Sequence, residues 1–550
     1  MLEKDFILKL AVELTGIKSI VGSEGEVEIA RWIYDFFKTL DYYKKNPDYL
    51  LLSDLKGDAL SRKNVLALLK GQKGNSKRTV ILIGHIDTVG VEDYGNIKEY
   101  ATCPEKLKSA LKTKELDEDT VKDLESGKWL FGRGIFDMKS GVAINMTLIK
   151  CLSEKIGEIE GNVLFLTVPD EEGNSKGMLS AAEDLVRLAE IHDLEYVAAV
   201  DTDYMAPRFP GDDKKYIYIG TVGKILPCFY IYGKETHVGQ AFEGLDANLL
   251  ASEILKEVDL AFDLCDVVEG EASTPPISLG QRDLKSEYSV QTVNEAYLYF
   301  NYSTHSSKPD EVLEKLKSKA QKAFENVLKK LNDDYVHYCQ ASGIPYKKLP
   351  WKPQVLTFKE LYDAVKAETK GKIEEHLRNF KESLMKDKPD DRFYSLQIVR
   401  ELARQWSNKN PAVILFFAPP YYPHIYVKGQ TEKEKNLISA VNSAVAEISA
   451  RFEYKFEVKK FYPYISDLSY FSIPEERAVE ALIDNMPGWG EIYSLPIDFI
   501  RKLDVPVVNI GPYGKDAHKF TERVNIPYSF EVVPEIVEKT VRLLLEGHNS

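Results

Sequence analysis

The feature that most narrows this chain is a set of apolar runs that each stop at a histidine or a carboxylate. Val80 to Ile83 is an unbroken β-branched and aliphatic stretch, the composition of a strand covered on both faces in a parallel sheet. Gly84 ends it, and His85 and Asp87 follow two apart, so in extended backbone they point to one side. Asn162 to Val168 exits into Pro169-Asp-Glu-Glu-Gly173, Tyr196 to Val200 into Asp201-Thr-Asp203, and Val505 to Ile510 through Gly511 to His518. Ligands of open α/β sheets bind just beyond the carboxyl ends of strands. Any one of these endings reads equally well as a helix N-cap or a solvated loop. Four in the same relative place predict a common site.

The other composition signals exclude alternatives. The 550 residues leave room for two or more domains, and 86 acidic against 72 basic residues give a formal net charge of -14, so nucleic acid and anionic membranes are not expected partners. No uninterrupted apolar run reaches the roughly 18 residues of a membrane span, and Met1 to Phe6 lacks the basic and apolar regions of a secretory signal, so a cytoplasmic location is expected. Cys103, Cys151, Cys228, Cys265 and Cys339 are scattered without a Cys-x-x-Cys, the pattern of reduced structural thiols.

Taken in order, residues 4 to 40 show two amphipathic helices, the second with Ser23 and Glu26 spaced as a capping box. Residues 92 to 128 are charged and irregular, a surface excursion with a short helix. Phe131 to Gly141 is a Gly-rich turn that places Asp137 at the entrance of a helix over Val142 to Leu152. Between residue 215 and about 427 strands and helices alternate differently, which predicts an α+β layer inserted into an α/β domain. The expected division is a discontinuous metal-binding domain at 1–214 and 428–550, and an inserted domain at 215–427. Within the insertion, helix is expected over Pro309 to Leu331 and an extra charged helical segment over about 332–410.

His85, Asp137, Glu172, Asp201 and His518 form a set of carboxylate and imidazole ligands without thiolate, which suits zinc, manganese or cobalt in a hydrolytic site. Two ions held close together need a bridging carboxylate, and Asp137 is placed in that role. Of the neighbours Glu171 and Glu172, one can reach a metal while the other holds a water. Asp203 competes with Asp201, two residues away on the same side, and Asp201 is preferred for its place at the strand end. Ser466 and Asp467, after a predicted strand and before an apolar segment, read as a helix N-cap. His192, His305, His337, His376, His424 and His548 lack comparable partners and read as surface or structural.

The motifs Gly84-His-Ile-Asp-Thr-Val89, Gly132-Arg-Gly-Ile-Phe-Asp-Met-Lys-Ser-Gly141, Asp170-Glu-Glu-Gly173, Asp201, Gly233-Lys-Glu-Thr-His-Val-Gly239 and Ala517-His-Lys-Phe-Thr-Glu522 together resemble the dizinc exopeptidase and deacylase family, peptidase family M20. That family includes aminoacylase, succinyl-diaminopimelate desuccinylase, peptidase T and glutamate carboxypeptidase. Chain size and the long middle insertion are most similar to its arginine-utilisation protein branch. The resemblance implies a phosphorylase/hydrolase-like α/β catalytic domain with a mainly parallel sheet, plus an inserted α+β lid domain. It implies two divalent ions, zinc first: one on His85, Asp137 and Asp201, the other on Asp137, Glu172 and His518. Glu171 becomes the general base, Asp87 the acceptor of the other N–H of His85, and His237 the lid group that steadies the oxyanion. Ser466 and Asp467, equally well read as a cap, resemble a family site near the active cleft.

The implied activity is hydrolysis of an amide bond in a small peptide or N-acyl amino acid. The alternative is a family member without chemistry that binds or regulates, and the intact ligand set with Glu171 favours the enzyme. Carboxypeptidase-like relatives carry a lid arginine for the substrate carboxylate, whereas Ala296 to Tyr302 here has none; Arg282, Lys224 and Lys515 are the substitutes available. A homodimer through the lid, or a monomer whose enlarged lid takes the partner's place, are both expected arrangements.

Overall fold

A computed structural model describes residues 3–387 and 389–547. The chain forms two compact units: the first comprises Met1–Thr221, Ile425–Ile473 and Pro496–Ser550, the second Val222–His424 and Pro474–Leu495.

The first unit is an α/β fold on a nine-stranded sheet. Its strands run in the order Leu50–Asp54, Lys63–Lys70, Asn162–Val168, Arg78–His85, Glu195–Asp201, Val507–Asn509, Lys215–Thr221 and Ile425–Tyr426, with Phe456–Lys459 also paired to Lys215–Thr221. The centre is parallel: Arg78–His85 lies between Asn162–Val168 and Glu195–Asp201, and Val507–Asn509 continues parallel to the last of these. Every residue of Asn162–Val168 is buried, as a mainly apolar run predicts when both faces of a strand are covered. Ser140–Glu154 packs on Arg78–His85 and on the helix Lys4–Gly16, while Glu432–Ser449 packs against Val533–Glu546. The register pairs His85 with Val168, Ile83 with Asp201, and Asp201 with Asn509, so the strand exits lie side by side.

A small sheet of Gly514–Lys515, Arg523–Asn525 and Trp129–Phe131 ties the segment around His518 to the segment leading into Asp137. The excursion at 92–128 is more ordered than its composition suggests. It contains the helices Pro104–Leu111 and Glu118–Ser126, and Tyr94, Ile97, Leu107, Leu111 and Leu124 form their own apolar cluster against Phe131.

The second unit is α+β. Its five-stranded sheet has the order Ile277–Asp283, Glu295–Thr304, Gly223–Tyr232, Ala412–Tyr422 and Val355–Thr357. Phe358–Glu368, Lys372–Met385 and Asp391–Gln405 make up the helical segment expected near 332–410, and their Leu361, Leu377, Leu396 and Leu402 bury Tyr230, Tyr297 and Phe416 of the sheet. One helix runs unbroken over Pro309–Ser342, past the expected end at Leu331, because no residue of 332–342 is a helix breaker; it stops at Gly343 in the left-handed region.

Three sequence expectations differ here. Lys215–Thr221, read as opening the insertion, is a strand of the large sheet because it pairs with Val507–Asn509 and Phe456–Lys459. Pro474–Leu495, read as part of the first domain, belongs to the second unit, where Phe417 donates its N–H to the Asn485 carbonyl at 2.7 Å. The capping box is not formed: the Ser23 hydroxyl donates to the Ile20 carbonyl, and Glu26 turns inward to accept from Gly22 and Arg62.

Among the described residues no helix is long and apolar enough to cross a membrane. All five cysteines are free thiols.

Candidate metal centre

The strand exits bring two donor groups to one place. His85, Asp137 and Asp203 each offer a ligand atom within 4.8 Å of the others, and so do Asp137, Glu172 and His518. Asp137 is common to both. Its Oδ1 lies 3.0 Å from His85 Nε2, while its Oδ2 lies 3.0 Å from His518 Nε2. His518 Nε2 is also 2.8 Å from Glu172 Oε1. One carboxylate thus faces the two imidazoles with separate oxygens, the geometry a bridging ligand requires.

Asp203, the alternative to Asp201, is the one grouped with His85 and Asp137. The Asp201 carboxylate folds back over its own chain, where Oδ1 accepts the Asp203 N–H at 3.2 Å and Oδ2 accepts the Ser466 hydroxyl at 3.1 Å. That turn carries Asp203 past the strand end toward His85 and Asp137, and Tyr462 donates its hydroxyl to Asp203 Oδ2 at 3.0 Å. Ser466 also accepts the Leu468 N–H at 3.2 Å, so it is both a cap and a neighbour of the centre.

The expected role of Asp87 also changes. His85 Nδ1 lies 3.1 Å from the Asp87 backbone carbonyl, whereas the carboxylate stays 3.7 Å away. A carbonyl acceptor fixes the same tautomer a carboxylate would, with Nδ1 protonated and Nε2 directed at Asp137. The Asp87 carboxylate instead accepts the N–H of Glu171 at 3.1 Å and of Glu172 at 3.0 Å. The Glu-Glu turn is held from behind as well: Asp170, at φ 71°, donates its N–H to Glu26 at 2.9 Å and receives Arg62 on its carboxylate.

Glu522 does for Asp137 what Asp87 does for Glu171. Fully buried, its Oε1 accepts the N–H of Gly134 at 2.8 Å, Phe136 at 3.2 Å and Asp137 at 3.4 Å. Glu522 closes the motif Ala517 to Glu522, but no local pattern in the sequence points to this role. Asp203 is the sequence's alternative to Asp201. Asp467, buried beside the centre, carried only the ambiguous Ser-Asp signal.

The electrostatics are those of acids crowded in a buried site. Burial pushes the Asp87 and Asp201 carboxyls up to about 6 and that of Asp467 up to about 7. Burial, with neighbouring carboxylates adding to it, holds Glu171 and Asp203 well above the usual range. The hydrogen bonds His518 makes to Asp137 and Glu172 raise its pKa to about 10; for His85, burial lowers the pKa but Asp137 and Glu171 more than reverse it. Carboxylates crowded in low dielectric call for a countercharge, and two divalent cations on these donors supply it. Oxygen and imidazole donors without thiolate fit zinc, manganese or cobalt. The residues present therefore fit a metal pair.

His237 lies in the second unit, where its Nδ1 accepts the Gly239 N–H at 3.1 Å and caps the turn Val238–Glu243. Lys515 is committed to Asp119 and Asp123 at 2.7 and 2.9 Å, and Arg282 lies over the Phe393 ring at 5.5 Å. His192 packs edge-on against Tyr49, His376 pairs with Glu401 at 2.7 Å, and His305 is buried. His548 lies outside the described residues.

Comparison with known proteins places this geometry. Residues 81–543 match the family described as peptidase family M20/M25/M40. Protein RocB of Bacillus subtilis strain 168 is 36% identical over 549 residues, covering 98% of this chain and 95% of RocB. Protein YqjN of the same strain is 38% identical over 550 residues, covering 100% and 98%. The crystal structure of aminopeptidase PepT from Bacillus cereus ATCC 10987 shares the fold at TM-score 0.52 and 13% identity, over 99% of each chain. With the family match spanning most of the sequence and two relatives aligned almost end to end, the chain belongs to the metallopeptidases of family M20/M25/M40.

Proposed function

We propose that this protein is a two-metal hydrolase that cleaves an amide bond in a small peptide or an N-acyl amino acid, with Glu171 as the general base. The observation that carries the reading is the pair of donor groups sharing Asp137, with Glu171 one residue from the donor Glu172. His85, Asp137 and Asp203 would hold one ion and Asp137, Glu172 and His518 the other. When bound, such ions polarise a carbonyl and make a water acidic near neutral pH.

The chain's own residues do the rest. Glu171 takes a proton from the attacking water and delivers it to the amide nitrogen as the C–N bond breaks, leaving a carboxylate and a free amine. Asp87 keeps the Glu171 backbone in place for both transfers, and Glu522 does the same for Asp137. The assignment of His237 to the oxyanion is supported by its motif, Gly233 to Gly239, alone. Zinc is the proposed metal, with manganese and cobalt as alternatives the donor set also suits. The edge strand Ile277–Asp283, with Ile277 and Leu279 exposed, supports self-association through the second unit.

The test is amine release from a panel of N-acyl amino acids and dipeptides after reconstitution with zinc, manganese or cobalt, beside Glu171→Gln. Hydrolysis by the wild type, with the variant at least roughly a hundredfold slower, is the expected result. A wild type that binds no metal would sink the reading.

A further inference from the structure

Arg133 is 1% exposed and spends every arm of its guanidinium. Its Nε donates to the Gly90 carbonyl at 3.0 Å, and Nη1 donates to Glu522 Oε2 at 2.8 Å. Nη2 donates to Asp93 Oδ2 at 2.7 Å and to the His518 backbone carbonyl at 3.3 Å, and the plane lies over the Tyr94 ring at 5.2 Å. The same Glu522 accepts the backbone N–H groups around Asp137 through its other oxygen. A single guanidinium-carboxylate pair therefore joins the segment that carries Asp137 to the segment that carries His518.

His518 needs such a support. Its side chain is 47% exposed, so packing does not fix the ring, and its backbone sits at φ 66°, a region that non-glycine residues hold only when their surroundings impose it. The Arg133 bond to its carbonyl acts at the strained residue itself.

We propose that Arg133 is a positioning residue that sets the affinity of the ion site formed by Asp137, Glu172 and His518, leaving the site on His85 and Asp203 nearly unchanged. This rests on the two-metal reading above. Lysine cannot replace it, because an ammonium lacks the planar fork that reaches four acceptors on two segments, 90–93 and 518–522. Glu522 acts differently: its Oε1 keeps the N–H groups around Asp137 whether or not Arg133 pairs with Oε2, and because both sites share Asp137, weakening Glu522 itself lowers both affinities.

The experiment is calorimetric titration of metal-free full-length protein with zinc, for the wild type, Arg133→Lys and Glu522→Gln. The wild type is expected to bind two ions. Arg133→Lys is expected to bind one with wild-type affinity and the other roughly 10- to 100-fold more weakly, the usual effect of losing a group behind a ligand. Its kcat at limiting zinc should fall and recover with excess zinc, with KM unchanged. Glu522→Gln should weaken both ions. If Arg133→Lys fails to fold by circular dichroism, Asp93→Ala takes its place, since Asp93 is 35% exposed and its loss removes one acceptor of the guanidinium without emptying the core. At least a threefold loss confined to one ion is then expected. Two ions bound by the variant as tightly as by the wild type, or both lost in parallel, overturns the role of Arg133. A wild type that binds none removes the two-metal reading itself.

Discussion

The Asp87 carboxylate accepts the backbone N–H of Glu171 at 3.1 Å, so the residue behind one ligand also holds the proposed base. His85 turns to the Asp87 carbonyl and Glu171 hangs from the Asp87 side chain, which gives a single residue a grip on two strand exits. Asp87→Asn would point an amide donor at one of two backbone donors, and the Glu-Glu turn would shift. Expected is a fall in kcat of roughly 10- to 100-fold with KM little changed and the His85 ion retained. Steady-state kinetics beside metal analysis of the purified variant separates this from loss of metal.

Asp203 and Asp201 differ in what they face, and substitution should separate them. Asp203→Asn removes a charged donor from the group with His85 and Asp137, and is expected to bind about one zinc per chain and to lose at least roughly a hundredfold in activity. Asp201→Asn keeps the turn and the Ser466 contact, and should bind two ions with less than about tenfold loss. Equal metal content in the two variants would return Asp201 to the ligand set.

Removing the metals should loosen the first unit. The carboxylates of Asp87, Asp137, Asp201, Asp203 and Asp467 are all buried near one another, and without cations their mutual repulsion acts against folding. Treatment with a chelator is expected to lower the midpoint of thermal unfolding, and added zinc to restore it. Ligand at about a hundred times its Kd contributes roughly 2.7 kcal/mol per site to the folded state. A midpoint unmoved by chelation would show that the donors hold no tightly bound ion.

What the sequence disclosed follows the range of its interactions. Strands such as Val80–Ile83 and Val163–Leu166 are legible because full burial writes itself as an unbroken apolar run; Glu172 and His518 follow from the exits of such strands, and Asp137 from a Gly-rich turn at a helix entrance. Asp201 against Asp203 was not legible: alternation puts both on one side, and the choice depends on Ser466, more than 260 residues away in the chain and met only in the fold. Glu26 looked like a cap for the same reason, since its partners Arg62 and Asp170 are remote in sequence. The excursion at 92–128 read as irregular because its apolar cluster is small and its helices short. Local pattern carries strands and their ends, while the groups behind the ligands are tertiary facts.

The second unit carries its own pH dependence at Asp266. This buried carboxylate accepts the N–H groups of His305 at 2.9 Å, Ser306 at 2.9 Å and Ser307 at 2.7 Å, as well as the Ser307 hydroxyl, where the strand Glu295–Thr304 turns into the helix Pro309–Ser342. Lys315 stands 3.4 Å away. Burial alone would raise its pKa, but the Ser307 bonds and the row of N–H donors hold it down at about 2. A carboxyl whose folded pKa lies below its unfolded value binds its proton less readily in the folded state, so the stabilisation is complete above about 4 and is lost as the pH falls toward 2. The shift corresponds to roughly 1–2 kcal/mol after allowance for solvent screening. Asp266→Asn should therefore lower the denaturant midpoint at pH 7 and flatten the acid limb between pH 4 and 2, measured by urea unfolding at each pH. An acid limb of unchanged slope would show that the carboxylate does not hold this joint.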